Sequence, residues 1–390
     1  MKQLVKLNFY STASIFIFFF VNGLFVTKYS REFQLPIHHY FLALLYFSGI
    51  AILIFCIEKF ALKKSYYSVF FWMMVVCFSV FMWILQQRIS VDSLVVDRWE
   101  ALQTGCKAIL AGNYPYDIVL SRGNESSNLP GLILLGMPFY LFFGNVVYLQ
   151  NFCFLLFVLI LMKFFKNYKQ RVLALLLLIF SPCYLYELYT KGDLFSNFII
   201  LAGFMMLFWK YFIQSPKINA VYVAAISAIL VLTRLPVIFP LVILLLKIFT
   251  IFRLKSKIIF ASVFIVTLAS ILFFFFVPAT SWEIILGHNP FQLQNKQPLW
   301  ISVLVLILAA FCSFKIKTLE DVIFWSGTLL FFNLGLAILD RISHFGFYNT
   351  LYGSYFDISH FTIVLPFVIL SLSLNNFYKS KALIQLNNAK

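Results

Sequence analysis

Long apolar stretches recur along the whole chain and are separated by short polar segments. Most of these stretches contain roughly 15 to 22 residues, and about 20 apolar residues suffice for a helix to cross the hydrocarbon layer of a membrane. A helix is favoured there because it satisfies its backbone hydrogen bonds internally. The pattern therefore predicts about twelve transmembrane helices. Their approximate ranges are 8–27, 38–57, 66–86, 146–165, 170–188, 194–213, 218–233, 235–252, 257–277, 299–315, 320–339 and 360–377.

The composition excludes a water-soluble fold. Hydrophobic residues make up 62% of the 390 residues, charged residues only 11%, and the mean hydropathy is +0.93. We therefore predict an all-α membrane protein, a polytopic helical bundle in which residues 1–390 form a single transmembrane domain. The first apolar stretch lacks the small-residue cleavage site of a signal peptide, so we expect it to remain as the first span.

The basic residues predict the orientation of the bundle. About twenty of the 30 Lys and Arg residues fall in segments on one side of the predicted helices, and most of the 14 acidic residues fall on the other side. Cytoplasmic loops carry the excess of Lys and Arg, so both termini are predicted to be cytoplasmic in a multi-pass protein of the cell (inner) membrane. The topology then accounts for the net charge of +16, because the basic cytoplasmic segments face anionic membrane lipids. No nucleic-acid partner is predicted.

One apolar segment, residues 129–143, does not fit the alternation of spans. It has about 15 residues, which is short for a span, and it contains Pro130 and Pro138. Making it a span would also place the basic segment 163–171 outside. We therefore predict an interfacial or re-entrant helix. Residues 88–145 then form one large extracytoplasmic loop, the first outer loop.

The first outer loop concentrates acidic residues in a chain that has few charges. They are Asp92, Asp97, Glu100, Asp117 and Glu125. Apolar positions at spacings of three and four predict an amphipathic helix in its first part. These positions are Val95, Trp99, Leu102, Cys106 and Ile109, whereas Asp97, Glu100, Thr104 and Lys107 lie on the polar face. Gly112, Asn113 and Pro115 are expected to end this helix.

Short motifs in this loop resemble a known family. Asp97-Arg98-Trp99-Glu100 is followed by Gly112-Asn113-Tyr114-Pro115-Tyr116-Asp117 and by the apolar segment that begins at Leu129-Pro130-Gly131. Their order resembles the first outer loop of GT-C superfold glycosyltransferases, in the bacterial, mannosyltransferase-like branch that uses polyprenyl-phosphate sugars. Later motifs are also similar to this branch: Lys191-Gly192-Asp193 with Asn197, and Thr233-Arg234-Leu235-Pro236. The chain departs from the family in having three predicted spans before the loop, a single proline near position 130, and Asp193 where Gln is more usual.

The resemblance implies a GT-C-like fold and an activity. The protein would move a sugar from a polyprenyl-phosphate donor to a glycan or glycolipid acceptor on the extracytoplasmic side, with inversion and without a cofactor. Such a transfer needs a base that takes the proton of the acceptor hydroxyl. Asp97 is the predicted base, and Glu100, one turn further along the helix, is the substitute candidate. The same pair also fits a helix capping box, so both interpretations stay open.

Cationic side chains near the outer interface are candidates for binding the donor phosphate, because Arg and phosphate form strong charged hydrogen bonds. They are Arg234, Arg341, His344 and His360. For Arg234 the alternative is an arginine that snorkels to the interface, and for the two histidines it is an ordinary interfacial polar residue. Neither histidine has the compact ligand spacing of a zinc site, so no metal is predicted.

The predicted substrate cavity is lined by Asp193, Tyr116 and Asp117. A local ion pair with Lys191 would explain Asp193 and Glu187 equally well, and Tyr116 and Asp117 also suit a turn.

Two other functional classes remain open from the sequence. A lipid-linked oligosaccharide flippase or another secondary transporter should carry ionisable residues at mid-membrane and helices broken at corresponding points of two halves. A polysaccharide polymerase or ligase should carry its largest outer loop late in the chain. The predicted span centres hold few charges and the acidic residues come early. Both observations favour the transferase.

Overall fold

A computed structural model describes residues 9–31, 37–59, 63–90, 94, 96–215, 219–353 and 355–374. Within these ranges the secondary structure is helical, apart from one isolated β-bridge between Val119 and Glu125. The all-α prediction is therefore confirmed. The two predicted cytoplasmic termini and Asp92 lie outside the described residues.

The helices are numbered in chain order. They are α1 (Phe9–Tyr29), α2 (His39–Lys59), α3 (Lys64–Arg88), α4 (Arg98–Leu110), α5 (Pro130–Phe143), α6 (Tyr148–Phe164), α7 (Tyr168–Ile179), α8 (Pro182–Tyr189), α9 (Leu194–Phe208), α10 (Ala220–Val231), α11 (Ile238–Ile251), α12 (Leu254–Phe276), α13 (Trp282–Gly287), α14 (Pro290–Gln294), α15 (Leu299–Lys315), α16 (Leu319–Phe345), α17 (Phe347–Leu351) and α18 (Leu365–Leu374). A π-helical turn (Trp209–Ile213) follows α9, and 3₁₀ helices precede α11 (Leu235–Val237) and α18 (Ile358–Val364).

The length and apolar character of these helices show a multi-span membrane protein. Among the described residues, six helices are long and apolar enough to cross a membrane: α1, α2, α3, α9 with its π-helical turn, α12 and α16. Three bent pairs raise the number of candidate spans to nine: α5 with α6 (109°), α7 with α8 (58°), and residues 282–294 with α15 (56°). The twelve predicted spans are thus not shown, because three of the predicted segments form shorter apolar helices, Ala220–Val231, Leu235–Thr250 and Ile358–Leu374.

Proline explains where one predicted span breaks. The apolar stretch predicted at 170–188 is interrupted after Ile179, and Pro182 begins α8. Proline suits the first turn of a helix but cannot donate a hydrogen bond within a continuing one, and it disfavours helical backbone in the preceding residue. Ser181 instead adopts an extended backbone and accepts a hydrogen bond from the amide of Tyr184.

Residues 130–143 form a helix of their own, α5, which leaves α6 at 109°. Pro130 begins it, and Gly144 ends it in the left-handed region, with φ of 68°. The helix packs on α4 and on the end of α10. At the contact with α10, the backbone N–H of Gly131 donates a hydrogen bond of 2.8 Å to the carbonyl of Leu232. A side chain at Gly131 would overlap that backbone. A separate, sharply bent helix is compatible with the predicted interfacial or re-entrant element.

Contacts between helix ends fall into two groups. The first group joins Lys28 with Gly353, Arg98 with Asp357, Tyr114 with His288, and Leu235 with Gln294. The second group joins Glu58 with Lys169, Tyr10 with Asp321, and Phe212 with Phe252. The two groups coincide with the two sides assigned from the Lys and Arg distribution. We call the first of them the loop end of the bundle, since it carries residues 88–145.

Candidate functional site

Helix α4 has the amphipathic character that the sequence predicts. Leu102, Cys106 and Ile109 are buried, and Trp99 is half-buried with its indole N–H donating to Asn145 at 2.8 Å. The helix ends at Leu110, two residues before the predicted terminating glycine. Its buried face packs on α5, so the helix is fixed against the bundle and its first turn has a defined position.

The two acidic residues of the first turn of α4 hold a neighbouring loop. Asp97 occupies the N-cap position, but its side chain makes no capping hydrogen bond among the described residues. It accepts instead from the amide of Asn124 at 2.7 Å. Glu100 accepts from the backbone N–H of Ser121 at 2.9 Å and from the hydroxyl of the same residue. The capping interpretation of Asp97 is therefore wrong, whereas its role as a base stays a prediction.

Arg98 lies between these two acids and points into the protein. Its Nη2 donates to the Oδ2 of Asp357 at 2.6 Å and to the hydroxyl of Ser359 at 2.6 Å. Its Nη1 lies 4.0 Å from the Oε2 of Glu187, and its side chain is 12% exposed. The sequence motifs by themselves indicate no role for Arg98. A signal was present, since Arg98 precedes Leu102 by four residues and so shares the buried face of α4.

Arg234 and Asp193 form a second, more buried pair. The guanidinium donates to both carboxylate oxygens of Asp193, with Nη2 at 2.7 and 2.6 Å and Nε at 3.1 Å, and also to Asn128 at 3.0 Å. The two side chains are 8% and 4% exposed. Arg234 therefore does not snorkel to an interface. Asp193 also does not pair locally, because the ammonium of Lys191 donates to the carbonyl of Ile89 at 2.9 Å.

Glu187 is a buried carboxylate between the two arginine pairs, and it is 1% exposed. Its Oε1 accepts from the backbone N–H of Phe195 at 3.1 Å, whereas its Oε2 has no hydrogen-bond partner among the described residues. A Cβ at Gly192 would come within 2.6 Å of this carboxylate. Gln150 donates to the carbonyls of Glu187 at 3.0 Å and Gly192 at 2.8 Å. The turn that contains the Lys191-Gly192-Asp193 motif is thus built around Glu187.

We call these five side chains the polar cluster: Arg98, Glu187, Asp193, Arg234 and Asp357. His360 lies close enough to interact electrostatically with four of them, Arg98, Asp193, Arg234 and Asp357. The structure thus brings together three of the residues predicted from the sequence, Arg234, His360 and Asp193.

The other predicted residues have contacts elsewhere. Arg341 is half-buried and donates to the carbonyl of Lys296 at 3.0 Å. The ring nitrogen of His344 lies 2.8 Å from the carbonyl of Asp340 in its own helix. Tyr116 is buried, and its ring packs against Tyr114 and Phe276, whereas Asp117 is exposed. No described contact joins these four residues to the polar cluster, so their predicted roles at the site stay predictions.

Asp357 is the most accessible member of the polar cluster. Its side chain is 44% exposed, and His360 beside it is also exposed. Burial raises the pKa of Asp357, but the charge of Arg98 and the hydrogen bonds from Ser359 outweigh that effect. The net result is a pKa below the usual value of an aspartate, so Asp357 is ionised at neutral pH.

The chemistry available at this site is the binding of oxyanions. A guanidinium presents several donors in a plane and binds carboxylates and phosphates in similar ways, so an accessible carboxylate partner can exchange for another anion. Lys191 adds a third cation beside Trp99, 5.9 Å from its ring. Among the described residues, no group of three or more His, Cys, Asp or Glu is arranged to hold a metal ion. The predicted absence of a metal is not tested by this observation.

A comparison with family models, curated proteins and solved structures finds no match to this chain.

Proposed function

We propose that the protein is a membrane glycosyltransferase of the GT-C type. It would transfer a sugar, with inversion, from a polyprenyl-phosphate donor to a glycan or glycolipid acceptor on the extracytoplasmic side. One observation carries the proposal: two arginines at the loop end belong to one polar cluster, and the accessible Asp357 pairs with Arg98, the sequence neighbour of Asp97. An enzyme that releases a lipid phosphate needs cations of this kind close to a carboxylate base.

The proposal includes a topology of twelve crossings, with both termini cytoplasmic and the loop end outside. It requires that the six long helices, the three bent pairs and the three shorter apolar helices each cross the membrane. The separation of helix-end contacts into two groups supports this arrangement, since each group joins ends that the topology places on one side. The excess of Lys and Arg supports the orientation.

In the proposed site Arg98 contacts the donor phosphate, with His360 beside it. Arg98 is preferred over Arg234 because its partner Asp357 is accessible, whereas Arg234 is enclosed and directs its hydrogen bonds to Asp193 and Asn128. Arg234 would then support the site from behind. Arg341 and His344 remain candidates for contacts as the donor enters, and Tyr116 and Asp117 remain candidates for the cavity wall.

Asp97 is the proposed base, with Glu100 as the alternative. Asp97 is half-exposed, and its carboxylate lies outside the polar cluster although it is the sequence neighbour of Arg98. In the reaction, the acceptor oxygen bonds to the anomeric carbon while its proton passes to the carboxylate. The bond between that carbon and the phosphate oxygen breaks, and polyprenyl phosphate leaves. The base and the departing phosphate must lie on opposite sides of the sugar, which suits two neighbouring side chains that point in different directions.

The test is sugar transfer by the purified protein in proteoliposomes. The protein is supplied with a panel of polyprenyl-phosphate sugars, and release of polyprenyl phosphate is measured. We expect Arg98→Gln to raise the KM for the donor much more than the KM for the acceptor, because the guanidinium contacts the phosphate. Lys169→Gln, which removes a cation at the opposite end of the bundle, is the matched control. An unchanged donor KM in Arg98→Gln would exclude Arg98 from donor binding.

A transporter of lipid-linked sugars is the second candidate, and the three bent helix pairs favour it. Broken helices often line the binding site of secondary transporters. The same proteoliposomes distinguish the two functions when the sugar is labelled. A transporter moves the intact donor to the other leaflet without releasing polyprenyl phosphate, whereas a transferase releases it.

A further inference from the structure

We propose that Asp357 is an exchangeable partner of Arg98, which the phosphate group of the ligand displaces when it binds. This inference rests on the proposed function, because it concerns the same phosphate site. It assigns Asp357 a role as an internal competitor for the anion site rather than as a contact of the sugar.

The two carboxylates next to Arg98 differ in how firmly they are held. Glu187 is buried, accepts a backbone hydrogen bond from Phe195 and is confined by the close approach of Gly192. Asp357, in contrast, is 44% exposed. The fixed carboxylate can keep Arg98 in place while the accessible one turns away. Asp357 is therefore the partner that a ligand approaching from outside meets.

The donors that hold Asp357 also suit a phosphate. Its carboxylate accepts from Arg98 at 2.6 Å, from the backbone N–H of Ser359 at 2.9 Å and from the hydroxyl of Ser359. Phosphate oxygens accept hydrogen bonds from guanidinium, amide and hydroxyl groups in the same way. Arg98 and the hydroxyl of Ser359, which are 2.6 Å apart, could thus pass from one anion to the other with little movement.

The exchange preserves the balance of charge around the site. Two arginines each pair with one aspartate, Arg98 with Asp357 and Arg234 with Asp193. A phosphodiester carries one negative charge, so it can replace one carboxylate beside Arg98 without leaving a buried charge unpaired. An additional anion beside an undisplaced Asp357 would be repelled by it. Return of Asp357 to Arg98 after the reaction would likewise favour release of polyprenyl phosphate.

An internal competitor has a distinctive consequence for affinity. Asp357→Asn keeps the size of the side chain and its ability to accept from Ser359, but it removes the negative charge. A residue that merely positions Arg98 would weaken ligand binding when it is changed. The proposal predicts the opposite: a partly exposed ion pair is weak, so phosphate binding should tighten by about three- to fivefold.

The experiment measures binding of geranyl phosphate and of inorganic phosphate to the full-length protein in nanodiscs, without any sugar transfer. Asp357→Asn should bind geranyl phosphate about three- to fivefold more tightly than the original protein. Glu58→Gln, which removes the carboxylate of the Lys169 pair at the other end of the bundle, should bind it unchanged. Tighter binding of geranyl phosphate alone identifies a lipid-linked phosphate as the ligand, and tighter binding of both probes identifies the phosphate group itself.

Weaker or unchanged binding by Asp357→Asn overturns the exchange proposal. Arg98→Gln separates that failure from failure of the phosphate site itself. If the original protein binds geranyl phosphate and Arg98→Gln does not, the site stands and only the role of Asp357 is wrong. If Arg98→Gln binds as well as the original protein, or if neither the original protein nor Asp357→Asn binds the probes, both proposals fail.

Discussion

Breaking the ion pair between Arg234 and Asp193 should destabilise the protein strongly. Asp193→Asn keeps the shape of the side chain but leaves the charge of Arg234 without its anionic partner. The two side chains are only 8% and 4% exposed, and the nearest contact is 2.6 Å, so solvent cannot compensate for the missing charge. Removing one partner of such a buried pair costs about 3 to 5 kcal/mol. The lower end applies here, because asparagine still accepts one hydrogen bond.

The assay is reversible unfolding in mixed detergent micelles, with Glu58→Gln as the matched control. The Lys169–Glu58 pair is longer, at 3.3 Å, and its side chains are more exposed. Its loss should cost less than about 1 kcal/mol. Replacing both buried partners by apolar residues, Asp193→Leu with Arg234→Met, should restore part of the lost stability because no buried charge remains. If Asp193→Asn is no less stable than Glu58→Gln, the Arg234 pair is not buried as described.

Three further predictions test the topology, the turn around Glu187, and the ionisation of Asp357. A reporter fused at Lys166 should be active in the cytoplasm and one fused at Ser126 should be outside, and cytoplasmic activity at Ser126 would refute the orientation. Gly192→Ala should lower the free energy of unfolding by about 1 to 3 kcal/mol, because its Cβ would overlap a buried carboxylate. Gly49→Ala is the control and should not destabilise the protein, since the space around Gly49 is open. Equal effects of the two changes on unfolding would contradict the packing around Gly192. Folding lowers the pKa of Asp357, so its ion pair should stabilise the protein above about pH 4 and be lost only as the pH falls further. The difference in stability between the original protein and Asp357→Asn should therefore persist from about pH 5 to 8, and its disappearance in that range would contradict the ion pair.

The class of the fold was predictable from the sequence because it depends on bulk properties. Apolar stretches of membrane-spanning length are visible without knowledge of tertiary contacts. The breaks were harder to predict, since hydropathy averages over a window and does not register a change of direction. Pro182 was a local signal for the break between α7 and α8. The separation of α5 was predicted from its two prolines and its short length, whereas its angle of 109° to α6 depends on packing.

The composition of the site was only partly predictable. Asp193, Arg234 and His360 were selected as polar residues at predicted outer helix ends, and the structure places them together. Their partners were not predictable, because Arg98 and Asp357 are 259 residues apart in the chain. No sequence pattern indicates which carboxylate an arginine will contact across such a distance. A charged residue on the buried face of α4 was the available signal for Arg98.

The most direct test of the proposed sugar transfer is the turnover of Asp97→Asn in proteoliposomes. Asparagine can still accept the hydrogen bond from Asn124, so the loop should keep its structure, but it cannot take a proton from the acceptor. The account predicts that turnover falls by at least about a hundredfold while expression and unfolding change little. Loss in Glu100→Gln with normal turnover in Asp97→Asn would transfer the role of the base to Glu100. Normal turnover in both amide variants would contradict a catalytic role for the first outer loop.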